Sequence, residues 1–198
     1  MRSESMWVFY KPANVETDLA PGSDLSRLVP SHFRSEKFHH IGRLDRDTSG
    51  LLLFSNDGQA THSLLSSPTL EKTYIARVSV EPRQVLLEQL IAGVPLGDGP
   101  ARAIAVSPIS EQDRCLRPLF LVPNFQAVAD SGFFVRVVTC EGRNRIVRRM
   151  LASVGLPVLA LHRERVGAIS VSADLEPGTA RALSDSEISS LVRLSERV

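Results

Sequence analysis

The stretch Gly42-Arg43-Leu44-Asp45-Arg46-Asp47-Thr48-Ser49-Gly50-Leu51-Leu52-Leu53-Phe54-Ser55-Asn56-Asp57-Gly58 decides how this chain is read. Leu51 to Phe54 form an apolar run long enough for a buried strand, preceded by Thr48-Ser49-Gly50 as a turn and closed by Asn56-Asp57-Gly58. Asp45 therefore falls on a loop anchored by a rigid element, with Arg43 and Arg46 beside it. Loops held in this way often carry chemistry. A second reading stays open, in which Asp45 or Asp47 braces the turn through side-chain to backbone hydrogen bonds.

Upstream of this stretch, Trp7 to Tyr10 is a β-prone run ended by Lys11-Pro12, which delivers Lys11 at a strand end, and Asn14 suits a left-handed turn. Residues 16–38, with Pro21-Gly22 and Pro30, read as connecting structure around a short helix from Asp24 to Val29. Downstream, Gln59 to Leu65 suits a short helix and Lys72 to Val80 a strand with Tyr74, Ala76 and Val78 on one face, Tyr74 pointing inward. Glu81-Pro82 opens a helix through Ile91 that Gly93 stops. Ala101 to Val106 and Phe133 to Thr139 read as strands, and residues 107–132 as a long loop or insertion. Asn144 is placed to cap a helix running to Val154, Val158 to His162 and Val166 to Val171 read as strands, and Ser184 to Leu194 as a closing helix.

The whole-chain numbers narrow the class. At 198 residues and 43% hydrophobic content, the chain suits one domain, or one domain with two lobes, and can bury a core without staples. Cys115 and Cys140 have neither metal-ligand spacing nor disulfide density, which argues for a reducing compartment and against structural zinc. No apolar run approaches the roughly 20 residues needed to span a bilayer, and Met1 to Met6 lacks the apolar core of a secretory signal. A soluble, intracellular monomer with no membrane partner is the expectation, in a cytoplasm or an organelle matrix. The net charge of +1 does not announce a nucleic-acid binder, so the distribution of cations matters more than their sum.

That distribution is uneven. Arg143, Arg145, Arg148 and Arg149 fall within seven residues that hold no acid. On a helix, Val147, Met150, Leu151 and Val154 make the buried stripe, Arg145 and Arg149 lie opposite, and Arg148 sits about 100° from Val147 at the border. Arg148 is then a candidate internal ion-pair partner and the others candidates for phosphates, against the plainer reading of a solvated helix face. A nearby arginine lowers a buried carboxylate's pKa by about 1 to 3 units and keeps it ionised. Tyr74 offers either a core tyrosine or a flat face on which a base can stack.

The chain resembles the pseudouridine synthases that act on ribosomal RNA. Lys11-Pro12-Ala13-Asn14-Val15 is similar to the first family motif, Gly42 to Gly58 to the catalytic motif, Lys72-Thr73-Tyr74 to the strand that bears the tyrosine, and Glu141 to Met150 to the carboxy-terminal motif. The resemblance implies isomerisation of a uridine to pseudouridine, with Asp45, Tyr74 and Arg148 as catalytic residues. It implies RNA, most readily ribosomal RNA, as partner, and neither cofactor nor metal. Arg43, Arg46, Lys72, Arg143, Arg145, Arg149 and Lys11 are the expected RNA-binding residues.

The implied fold is α+β, a pseudouridine synthase-like catalytic domain over residues 1–198 with a central mixed, mostly antiparallel sheet flanked by helices. Asn14 stands where the first motif usually has glycine, and Ile146 where the last usually has glutamine. No amino-terminal RNA-binding module is expected before Lys11, as in the short members of the branch that modify large-subunit RNA. Two alternatives compete: a non-catalytic RNA-binding or ribosome-assembly protein on the same fold, and a magnesium site on Asp45 and Asp47 for phosphoryl transfer.

Overall fold

A computed structural model describes residues 5–110, 132–171 and 175–195. In chain order its elements are β1 (Met6–Lys11), α1 (Asp24–Leu28), α2 (His32–Ser35), β2 (His39–Ile41), β3 (Thr48–Ser55), α3 (Gly58–Ser66), β4 (Lys72–Val78), α4 (Gln84–Ala92), β5 (Ala105–Ile109), β6 (Phe133–Thr139), α5 (Ile146–Ser153), β7 (Val158–Val166), β8 (Ile169–Ser170), β9 (Ala180–Ala182) and α6 (Asp185–Ser195). The class is α+β. Two compact units are formed, one by residues 1–70 with 165–198 and the other by residues 71–164.

In the first unit, β3 pairs antiparallel with β1, from Met6 opposite Ser55 to Lys11 opposite Gly50. That register brings the chain leaving β1 and the chain entering β3 to the same end of the pair, so the loops after Lys11 and before Thr48 meet there. The short strands β2 and β9 flank the pair, β2 on β3 and β9 on β1. Asp57 caps α3, its Oδ1 accepting from the backbone N–H groups of Gln59 at 2.9 Å and Ala60 at 3.1 Å. Ser184 and Glu187 make a capping box on α6: the Ser184 N–H donates to Glu187 at 2.8 Å and the Glu187 N–H donates back to Ser184 Oγ at 3.3 Å.

The segment 16–38, expected to be connecting structure, is instead part of this unit's core. Leu25, Phe33 and Phe38 are buried, Phe33 stacks on Phe38 with centroids 4.6 Å apart, and Trp7 meets Phe33 edge-on at 5.5 Å. Burying such a side chain contributes about 1.5 to 3 kcal/mol. Helices of four and five residues are too short to print a periodicity, which is why the core role was not legible.

In the second unit the strand order is β5-β6-β4-β7, with β4 antiparallel to β6 from Lys72 opposite Thr139 to Val78 opposite Phe133. Tyr74, Ala76 and Val78 are buried as expected, yet Thr73, Ile75 and Arg77 on the other face are buried as well. Leu87 and Leu90 of α4 and Val147, Met150 and Leu151 of α5 complete the buried surface, and Gly93 ends α4 at φ 109°.

Several boundaries differ from expectation. Thr48 to Gly50 begin β3 rather than form a turn before it; Gly50, at φ 111°, opens the strand opposite Lys11. Ala101 makes only a bridge with Val94, and the strand expected at residues 101–106 runs Ala105–Ile109. Five residues of the expected 107–132 loop, 107–110 and 132, are described, three of them in β5, while residues 111–131, with Cys115, lie outside the described residues. Val158 to Val166 form one strand, turning at Gly167 into β8, because Arg163 to Arg165 continue the extended chain despite their charge. Among the described residues no helix is long and apolar enough to cross a membrane.

Candidate functional site

Asp45 sits in a loop whose backbone is fixed on both sides. The buried Thr17 hydroxyl donates to the Leu44 carbonyl at 2.7 Å and accepts from the Leu44 N–H at 3.2 Å. The Asp45 carbonyl accepts from the Thr48 N–H at 3.0 Å. The Arg46 carbonyl accepts from the Asn14 N–H at 2.7 Å and from Lys11 Nζ at 3.3 Å. Asn14 adopts φ 68°, the left-handed conformation expected of it, and that turn aims its N–H at the loop. The Leu44 side chain is buried and that of Asp45 half-buried.

Lys11 requires a correction. Expected at an RNA surface, it is fully buried, and its ammonium donates to the carbonyls of Pro12, Val15 and Arg46. It is a backbone clamp between the first motif and the Asp45 loop. The two arginines flanking Asp45 are exposed, with Arg46 Nε donating to the Asn14 carbonyl at 3.4 Å. Just upstream, burial lowers the pKa of His40 against a backbone hydrogen bond to Gly42, and the Arg43 charge lowers it further.

The second unit presents Tyr74, Lys72 and the α5 arginines. Tyr74 is buried in β4, opposite Val137. Lys72 Nζ donates to the Cys140 carbonyl at 3.1 Å; burial, then the charge of buried Arg163, lowers its pKa. Burial also raises the Cys140 thiol, in keeping with a small side chain rather than a nucleophile. Arg148 is half-buried on α5 and its Nη1 donates to the Val158 carbonyl at 3.3 Å.

The start of α5 is built differently from the expected Asn144 cap. The capping position is Arg145, exposed and left-handed at φ 49°, with no side-chain cap. Arg143 is fully engaged: its Nε and Nη2 grip the Glu141 carboxylate at 3.0 and 3.1 Å, Nη1 donates to Asp98 Oδ1 at 3.1 Å and to the Gly99 carbonyl, and Nη2 donates to the Pro100 carbonyl at 2.8 Å. Arg149 grips the same Asp98 through both terminal nitrogens. Arg149 and Asp98 shift each other's pKa in opposite directions, the arginine up and the acid down, chiefly through that hydrogen bond. Two expected phosphate ligands are thus already occupied by carboxylates. Glu141 stands just outside the acid-free run, and Asp98 lies 45 residues from Arg143, where helical spacing has no reach.

Thr17 and Asp98 are the residues sequence reasoning missed. A threonine six residues past the β1 end carries no pattern, and Asp98 between Gly97 and Gly99 reads as an ordinary turn. Among the described residues no group of three or more His, Cys, Asp or Glu side chains converges in a way that could hold a metal ion.

A family model described as RNA pseudouridylate synthase matches residues 5–153. The chain is 42% identical over 161 residues to an uncharacterized RNA pseudouridine synthase of Mycobacterium tuberculosis, covering 79% of this chain and 55% of the relative. It is 38% identical over 157 residues to the ribosomal small subunit pseudouridine synthase A of Escherichia coli, covering 79% and 60%. To the ribosomal large subunit pseudouridine synthase B of Bacillus subtilis it is 32% identical over 197 residues, covering 96% and 72%. The chain thus spans little more than half the length of the first two. A solved pseudouridylate synthase superposes with a TM-score of 0.75 at 26% identity, over 94% of this chain and 73% of that one.

Proposed function

The chain belongs to the RNA pseudouridylate synthase family, and from that premise we propose that it converts a uridine of large-subunit ribosomal RNA to pseudouridine, with Asp45 as the catalytic carboxylate. The reaction breaks the bond between ribose C1′ and uracil N1, turns the base, and joins C1′ to C5. C5 gives up its hydrogen and N1 gains one, so atoms balance without oxidant, reductant or leaving group. A fixed carboxylate serves either opening step, attack at C1′ or removal of a ribose proton. The observation that carries this reading is the pinned backbone on both sides of Asp45, since catalysis of this kind needs a reacting group held in a near-attack geometry.

In this reading the target base leaves its stack at a cost of a few kcal/mol and packs on Tyr74. Arg148 is the basic residue that the family resemblance assigns to the reaction, and exposed Arg43, Arg46 and Arg145 face the RNA backbone. The Bacillus subtilis relative, matched over nearly the whole of this chain, supports the large subunit as target.

The test incubates ribosomal RNA of both subunits with the protein and maps pseudouridine by carbodiimide modification. We expect product in the large-subunit RNA, and a loss of about 10²- to 10⁴-fold in turnover for Asp45→Asn with RNA affinity retained. Undiminished product from that variant overturns the Asp45 assignment, and product in the small-subunit RNA alone overturns the target. RNA binding with no product from the wild type favours the non-catalytic alternative.

A further inference from the structure

One hydroxyl closes both backbone groups of the residue that precedes the proposed catalytic acid. Thr17 Oγ1 gives its proton to the Leu44 carbonyl at 2.7 Å and takes the Leu44 N–H at 3.2 Å, and both groups are buried. A hydroxyl that donates and accepts with the same peptide residue does what a neighbouring strand would do, in a place where no strand runs among the described residues. The Leu44 side chain is itself buried, so the residue is fixed through its side chain and through both of its backbone polar groups.

On the far side of Asp45, the Arg46 carbonyl is held by Asn14 and Lys11. The Asp45 carbonyl closes a turn onto Thr48. Asp45 therefore has its flanking residues tied to the segment from Lys11 to Thr17 at two separate points. Removal of the Arg46 tie would still leave the chain anchored by the turn to Thr48 and by β3. Removal of the Leu44 tie leaves the upstream side held by the Leu44 side chain alone until β2, across Gly42 at φ 76° and exposed Arg43.

Resting on the reading of Asp45 as the catalytic carboxylate, we infer that Thr17 is a positioning residue for it: its hydroxyl, acting through the Leu44 backbone, sets where the Asp45 side chain points. Thr17 is buried and its hydroxyl is taken up by the Leu44 backbone, so it acts through that backbone rather than by direct contact. It has no charge to lose to solvent or salt, so the alignment it imposes does not depend on ionic strength.

The experiment compares Thr17→Val, which keeps the shape and removes the hydroxyl, with Thr17→Ser, which keeps the hydroxyl and removes the methyl. Under the inference, Thr17→Val lowers kcat by about 10- to 100-fold, the size of effect expected from misplacing a reacting group by about 1 Å. KM and RNA affinity stay within about twofold, because no RNA contact is lost, and Thr17→Ser restores kcat to within about threefold of wild type. Amide hydrogen exchange gives a readout independent of activity: protection at Leu44 falls in Thr17→Val while the β3 amides of Leu51 to Phe54 keep theirs.

Wild-type protein without product, with Leu44 protection still lost in Thr17→Val, overturns the functional reading and leaves the loop-pinning half of the inference supported. Unchanged Leu44 protection in Thr17→Val overturns the inference whatever the activity. An active wild type with kcat unchanged in Thr17→Val also overturns it. If Thr17→Val does not fold, Thr17→Ser decides: wild-type kcat and Leu44 protection support the hydroxyl, and loss of both overturns it.

Discussion

The Asp45 loop and the start of α5 carry the two most specific motifs of the chain, and they are fastened in opposite ways. Around Asp45 the fastenings are uncharged at the accepting end and aimed at backbone, from the buried Thr17 hydroxyl to the part-buried bonds of the Lys11 ammonium and the Asn14 N–H, all ending on peptide groups of the loop or of its neighbouring turn. At α5 the fastenings are partly exposed and charged, with Asp98 gripping Arg143 and Arg149, and Glu141 gripping Arg143. The first kind gains strength from the low dielectric around it and is costly to leave unmade. The second is screened by salt and weak in isolation. Under the proposed function, the group that must not move is held by the first kind, and the cations offered to a polyanion are held by the second, which a phosphate can replace.

The largest expected effect tests the buried side of that contrast. Lys11→Met keeps the stem and removes the ammonium, leaving the carbonyls of Pro12, Val15 and Arg46 short of a donor. These acceptors are part-buried, so water takes over some of the bonds and the net loss is about 1 to 3 kcal/mol in all, which lowers Tm by about 2 to 12 °C in a chain of this size. Thermal melts at low salt and near 1 M salt check it, and the fall is expected to be the same in both. A loss that shrinks with salt would mean that Lys11 acts as a surface charge after all.

Asp98→Asn is the smaller counterpart. It keeps the shape of the side chain and removes the charge that two guanidiniums share, so Tm drops by about 1 to 4 °C at low salt and converges on wild type as screening takes over. Arg149, released from its internal acid, becomes available to phosphate. Non-specific RNA binding therefore tightens slightly, and its dependence on salt steepens by up to about one counterion. Weaker binding of Asp98→Asn with an unchanged salt slope would show that the clip orders the helix start without competing with RNA.

How legible these two regions were follows from how they are held. Leu51 to Phe54 could be read as a buried strand because four apolar residues between turn signals announce it, and Val147, Met150, Leu151 and Val154 announce α5 by their spacing. Asp45 and Arg148 could be singled out as candidates from residue type and motif. The clamps could not. Thr17 meets Leu44 across 27 residues and Arg143 meets Asp98 across 45, and neither pairing leaves a local periodicity. Lys11 was misplaced for a related reason: a lysine at a strand end ordinarily points to water, and only the meeting of two loops at the end of the β1 and β3 pair supplies the carbonyls that bury it.

Acid offers the finest test of the difference between buried and half-exposed groups, because each unit holds one histidine of lowered pKa. His162 on β7 is fully buried, and its pKa is pushed down to about 3, first by burial and then by the Arg163 charge. His40 is half-exposed and lowered for the same leading reason. A histidine kept neutral in the fold stabilises it above its unfolded pKa of about 6.5 and loses that contribution as pH falls toward the folded value, since the unfolded chain then binds the extra proton. For His162 the window runs from about 6.5 down to about 3, at up to about 1.4 kcal/mol per pH unit. In His162→Gln the slope of unfolding free energy against pH should flatten between about pH 6 and 4, whatever the variant does to absolute stability. His40→Gln should flatten it less, because water still reaches part of that ring. Denaturant melts across that range check both, and an equal flattening would show that the two rings are buried to the same depth in solution.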